Sequence, residues 1–116
     1  MGHTEKALED FTFILNEHPN FASGFNSRGL FYKNKAMLHE ALADYNKAIS
    51  IEQASDYFIN RASIYQLFGE DEKALCDYDK AAELDPNNDT IYNNKANFWN
   101  SRGKKIFLEK ILIGMF

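Results

Sequence analysis

Three stretches of the chain superimpose on one another without a gap: Phe25 to Ala48, Phe58 to Ala81, and Tyr92 to Met115. Each opens with an aromatic, a small residue four positions on, and a second aromatic three further. These are Phe25, Gly29 and Tyr32; Phe58, Ala62 and Tyr65; Tyr92, Ala96 and Trp99. Twelve residues after the small one comes Ala41, Ala74 or Leu108. Tyr45, Tyr78 or Leu112 follows four later, and Ala48, Ala81 or Met115 three after that. The first two copies are thirty-three residues apart and the next two thirty-four. Spacings of three and four place the anchors of each half on one face of a helix. A period of this length marks one supersecondary unit, two helices here, that cannot bury its apolar face alone and must stack on its neighbours.

A partial copy precedes these three. Ala7, Phe11 and Ile14 reproduce the second-helix anchors, and Pro19 follows Ile14 at the distance Pro86 follows Ala81. Gly2 aligns with Gly69 and Gly103, where a turn is expected between the helices of a pair. The spacing predicts helices over about 4–17, 21–34, 37–51, 55–68, 71–84, 89–102 and 105–115. Asn88 or Asp89 can cap the sixth, because a side-chain oxygen there satisfies an exposed amide. The connection at 52–55 is one residue short and carries Gln53 where its siblings carry proline.

These residues resemble the tetratricopeptide repeat family. That family alternates an aromatic, a Gly/Ala and a Tyr on the first helix with Ala, an aromatic and Ala on the second, and closes with Pro. The Asp-Tyr-x-Lys-Ala runs at Asp44–Ala48 and Asp77–Ala81 are typical of it, and the likeness covers nearly the whole chain. The expected fold is all-α, a superhelix of about three and a half stacked antiparallel hairpins forming a single array over 1–116. Its parts are the second helix of a partial repeat (1–21), repeats at 22–54 and 55–88, and a divergent terminal repeat (89–116). The apparent start in mid-repeat suggests a piece of a longer array.

The resemblance implies a non-catalytic scaffold that holds a protein or extended peptide in the concave groove formed by the first helices. The groove positions it implies are Asn26, Ser27 and Leu30; Ile59, Asn60 and Ser63; Asn93, Asn94 and Asn97, with Lys33, Gln66 and Asn100 beyond. Asn60 and Asn94 stand where family members commonly hydrogen-bond a ligand's backbone, with Ser27 in that place in the first full repeat. A primary amide both donates and accepts, which suits a peptide unit. Family domains that grip chaperone tails clamp two carboxylates with Lys, Asn and Arg. Here Asn60 fits, but Asn26, Leu30, Thr90 and Asn94 replace the others, so the charge-assisted bonds have no donors. A neutral groove is the expectation.

Cations recur at Arg28, Arg61 and Lys95, and aspartates at Asp10, Asp44 and Asp77, each seventeen or eighteen residues before a cation. That spacing suggests ion pairs linking each hairpin to the next. The terminal segment is apolar all round, with Ile106, Phe107, Ile111, Ile113 and Phe116 beside its anchors. Such a helix needs burial on more than one side, so the alternative function is self-association, a homodimer through this segment.

Charge and composition narrow the remaining classes. A formal net charge of −4 offers no basic face for phosphates, so nucleic acid is not an expected partner. No run of eighteen apolar residues occurs, so no membrane span is expected. The acidic amino terminus is no secretory signal, and Cys76 is the only cysteine, which together lead to an intracellular, cytoplasmic expectation. His3, His18 and His39 lack metal-ligand spacing. Asp85, Asn87 and Asp89 begin like a calcium loop, but Thr90 and Ala96 replace its glycine and glutamate. Gly24 to Gly29 precedes Leu30 and Phe31 rather than the Lys-Ser/Thr of a phosphate loop. Asn88-Asp89-Thr90 reads as a chance sequon in a turn. No cofactor, metal or catalytic residue is expected.

Overall fold

A computed structural model describes the backbone of residues 2–113 and the side chains of residues 3–103. Six helices follow one another: α1 (Gly2–Glu17), α2 (Ala22–Asn34), α3 (Leu38–Ile51), α4 (Ser55–Leu67), α5 (Asp71–Leu84) and α6 (Asp89–Ile113). Helices α2 and α3 form one hairpin and α4 and α5 the next, with α1 docked before them and α6 after. The Cα radius of gyration is 16.7 Å, against about 13 Å for a compact globule of this length. A solenoid, whose layers touch only their neighbours, has this elongation.

The anchors of the two complete hairpins pack as their spacing requires, while Ile14, Tyr92, Ala96 and Trp99 stay exposed. Ala41, Tyr45, Ala48, Ala62, Ala74, Tyr78 and Ala81 are all essentially inaccessible. The core is shared between layers: Leu15 of α1, Ala22 and Phe25 of α2, Ala48 of α3 and Tyr57 of α4 make one cluster. Phe58, Ala62, Ala74, Tyr78, Ala81 and Ile91 make the next. At the first hairpin's crossing, Gly29 lies under the Tyr45 ring. A Cβ there would stand 2.6 Å from Tyr45 Cε1, so this seam tolerates only hydrogen where the next repeat accepts Ala62.

The two hairpin turns share one geometry. Met37 N–H donates to Tyr32 O and Glu70 N–H to Tyr65 O, both 2.9 Å, the long-range bond that closes a helix through a left-handed residue. In the second turn that residue is Gly69, at φ 77°. In the first it is Ala36, at φ 60°, where a Cβ crowds the backbone at a cost of ~1–2 kcal/mol. Asn88 caps α6, its side-chain oxygen accepting from Thr90 N–H at 3.0 Å.

The expected turn at Gly103 does not form. Helix α6 continues to Ile113, where the spacing predicts separate helices over 89–102 and 105–115. The difference from Gly69 lies in the residues just beyond each glycine. Glu70 and Asp71 bring carboxylates to the start of α5, whereas Lys104 and Lys105 bring cations, which a helix amino terminus disfavours. The side chains proposed for self-association, Ile106, Phe107, Ile111, Ile113 and Phe116, lie outside the described residues, as do Leu108, Leu112 and Met115.

Candidate functional site

Helices α2 and α4 touch, Ile91 of α6 enters the core cluster of Phe58 and Ala62, and the amides singled out in the sequence are spread along these three first helices. Asn60 Nδ2 donates to Asn26 Oδ1 at 2.8 Å, bridging α4 to α2. Asn26 and Asn60 are half-buried, and so is Asn94 on α6. Ser63 is half-buried and its Oγ donates to Asn60 O at 2.7 Å, a bond within its own helix. Ser27, Asn93 and Asn97 are exposed. Leu30 is also open to solvent, at 39 % exposure.

Two expectations about the groove need correction. Ile59 is not a groove residue: it is 8 % exposed and belongs to the core cluster of Phe58 and Tyr78. Gln66 does not stand free either, since it accepts the Tyr78 hydroxyl. The bridge from Asn26 to Asn60 is a further departure, because the repeat alignment matches Asn60 with Ser27. The signal for it is asparagine at 26, 60 and 94, spaced by 34 each time. Asn60 keeps one amide proton and its carbonyl oxygen after bonding Asn26, so the bridged pair still offers both a donor and an acceptor.

The repeated charges form pairs within hairpins, not between them. Arg28 grips Asp44 with two bonds, Nε to Oδ2 at 2.7 Å and Nη2 to Oδ1 at 2.8 Å. Arg61 grips Asp77 through the same atoms, at 2.8 Å for both. The expected partner of Arg61, Asp44, is thus already held by Arg28. The cause is antiparallel geometry: residues sixteen apart across a tight hairpin turn lie opposite each other. Each guanidinium also lies between its repeat's two aromatics, Arg28 at 5.7 Å from the Phe25 and Tyr32 centroids, Arg61 at 5.6 Å from Phe58 and Tyr65. Hydrogen bonding to the paired aspartate raises both arginine pKa values against the opposing effect of burial. Asp44 and Asp77 are buried, at 5 % and 4 %, and a planar fork meeting a carboxylate two-on-two suits such a position. These pairs serve the fold.

The third cation breaks the series. Counting sixteen onward from Lys95 reaches Ile111, where the other repeats have aspartate. Lys95 bonds instead to Asp79 on α5, at 2.9 Å, through a carboxylate that is 66 % exposed.

The model of the tetratricopeptide repeat family matches residues 22–55 and 55–88. The chain belongs to the tetratricopeptide repeat family. None of the curated proteins matches it. Among solved structures it is similar to a thermophilic TPR protein of Thermus thermophilus, with 26% identity and a TM-score of 0.76 over 83% of this chain and 50% of that one. It is similar in fold to YrrB, described as a TPR protein with an unusual peptide-binding site (24% identity, TM-score 0.74, 80% of this chain and 48% of that chain). It also shares its fold with the first TPR of Spaghetti (RPAP3), a structure bound to the HSP90 peptide SRMEEVD (20% identity, TM-score 0.79, 88% and 82%). The matches to the Thermus and YrrB proteins span about half the length of those chains. TPR proteins are in general scaffolds rather than enzymes. Among the described residues no three His, Cys, Asp or Glu side chains gather as a metal site, and no helix is long and apolar enough to cross a membrane.

Proposed function

We propose that this TPR array is a protein–protein interaction scaffold, and that the face shared by α2, α4 and α6 binds an extended segment of its partner. The observation that carries the reading is the bridge from Asn60 to Asn26, with Asn94 on the next first helix. The bridge holds two amides in place before a ligand arrives, so less side-chain freedom is lost on binding. Asn93, Asn94 and Asn97 extend the row along α6, and Ser27 and Ser63 flank it. A ligand fitting this face is an extended peptide read through its backbone amides, with an apolar side chain against Leu30. An acidic carboxyl-terminal tail is a poor fit, because Asn26, Leu30, Thr90 and Asn94 supply no cation where a carboxylate clamp needs one.

Peptides selected from a random library for binding to the chain provide the test. Asn60→Ala and Asn94→Ala should each weaken the selected peptides roughly tenfold, the effect of one or two lost hydrogen bonds. Lys80→Ala on α5 should leave them unchanged. Peptides indifferent to both asparagine substitutions would remove this face as the site.

A further inference from the structure

Two equivalent phenols on the second helices meet different neighbours on the first. Tyr78 packs beside Ala62 and donates its hydroxyl to Gln66 Oε1, one turn further along α4. Tyr45 covers Gly29 in the same manner, its Cζ 3.2 Å from where a Cβ would stand. One turn beyond Gly29 is Lys33, the equivalent of Gln66, and an ammonium donates but does not accept. The Tyr45 hydroxyl is left without a partner among the described residues, on a side chain that is 0 % exposed.

Lys33 is itself unpaired. It is half-buried, forms no ion pair among the described residues, and is the only charged residue among the groove positions that the repeat implies. It follows Asn26 and Leu30 at spacings of four and three, so it continues their side of α2. The bond from Asn60 to Asn26 sets the register between α4 and α2 at thirty-four residues. The same offset places Leu67 opposite Lys33. Leu67 stands four residues after Ser63 and seven after Asn60, on their side of α4, and is 59 % exposed. Leu30, one turn before Lys33, is 39 % exposed. Two donors without an acceptor are therefore bordered by two open leucines.

We propose that Lys33 and the Tyr45 hydroxyl form a subsite for one carboxylate, an aspartate or glutamate side chain of the partner's extended segment. The neighbouring side chain of that segment is large and apolar and packs on Leu30 and Leu67. The subsite stands only if the proposed face of α2, α4 and α6 is where the partner binds, and it names what that face selects. A carboxylate has two acceptor oxygens: one accepts from the phenol and the other from the ammonium. A backbone carbonyl would satisfy the hydroxyl and leave the cation unpaired. The hydroxyl is closed to solvent in the free chain, so the long, flexible Lys33 side chain moves outward as the carboxylate enters. The second repeat has no such subsite, because Gln66 already supplies the acceptor for Tyr78.

Peptides selected from a random library on the full chain test the subsite, each made with an amidated carboxyl terminus so that no terminal carboxylate competes. They should carry one Asp or Glu beside a Leu, Ile or Phe. A copy with the corresponding amide in place of that acid should bind roughly tenfold more weakly, the effect of a lost charge-assisted bond. Lys33→Gln gives the first repeat the acceptor that the second already has, and should abolish the preference for acid over amide. Tyr45→Phe should weaken the acidic peptide about threefold to tenfold while raising the urea midpoint, a combination that damage to the fold does not produce. Peptides weakened by Asn60→Ala that carry no acid, or that bind equally as acid and amide, overturn the subsite and leave the face standing. A preference for acid that Tyr45→Phe leaves intact reduces the site to a surface charge and also overturns it. Peptides indifferent to Asn60→Ala, Lys33→Gln and Tyr45→Phe alike remove both the subsite and the face.

Discussion

Tyr45 and Tyr78 occupy the same repeat position and are equally buried, at 0 % and 1 % exposure, yet removing their hydroxyls should act in opposite directions. Tyr78 donates to Gln66 Oε1. The residue equivalent to Gln66 in the preceding repeat is Lys33, which carries no acceptor, and the Tyr45 hydroxyl is buried without a partner among the described residues. A buried, unpaired hydroxyl costs about 1–3 kcal/mol, whereas a made neutral bond contributes about 0.5–1.5 kcal/mol. Tyr45→Phe keeps the ring that covers Gly29 and removes only the penalty, so it should stabilise by ~1 kcal/mol or more. Tyr78→Phe should destabilise by ~1 kcal/mol. Urea unfolding at neutral pH resolves the gap of ~2 kcal/mol, as a midpoint shift at constant slope. Lys33→Gln supplies the missing acceptor, and in that background Tyr45→Phe should become destabilising. Equal losses for Tyr45→Phe and Tyr78→Phe in the unaltered chain would refute the reasoning.

Other perturbations probe the turn, the ion pairs and the buried phenols. Ala36→Gly relieves the left-handed strain at φ 60° and should stabilise by ~0.5–1 kcal/mol, net of the extra freedom of an unfolded glycine; a lower urea midpoint would contradict the turn. A double-mutant cycle on Arg28 and Asp44 should show ~1–3 kcal/mol of coupling for a bidentate, mostly enclosed pair, and one on Arg61 and Asp44 should show none. Burial, with the charge of Asp44 adding to it, pushes the Tyr45 pKa from 10 up to about 12, and burial raises Tyr78 as well. Between those values the unfolded chain has released protons that the folded chain keeps, so the contribution of these phenols to stability should be constant below about pH 10 and be lost above it. Tyr45→Phe should make that loss smaller in urea titrations across the alkaline range.

The fold was legible because its anchors repeat. Ala41, Tyr45 and Ala48 recur as Ala74, Tyr78 and Ala81, and laying the chain on itself once places five helices. Pairing across the turn was less legible. Sequence distance alone allows Arg61 to reach back seventeen positions to Asp44 or forward sixteen to Asp77, and only the antiparallel crossing decides for Asp77. Gly103 misled for a related reason: a glycine permits a turn but does not impose one, and the carboxylates that begin α5 have no counterpart in Lys104 and Lys105. On the candidate face, exposure was misjudged at Ile59 because a single step around a helix separates groove from core. The bridge from Asn60 to Asn26 escaped because it runs diagonally across the alignment.

The central claim is that the face shared by α2, α4 and α6 is where this TPR array holds a partner. Chemical-shift mapping on the isotope-labelled chain, titrated with a library-selected peptide, tests it most directly. The side-chain amide signals of Asn26, Asn60, Asn94 and Asn97 should move together and saturably, with those of Asn46 on α3 unmoved. Perturbations centred on α3 and α5, with the first-helix asparagines silent, would contradict it.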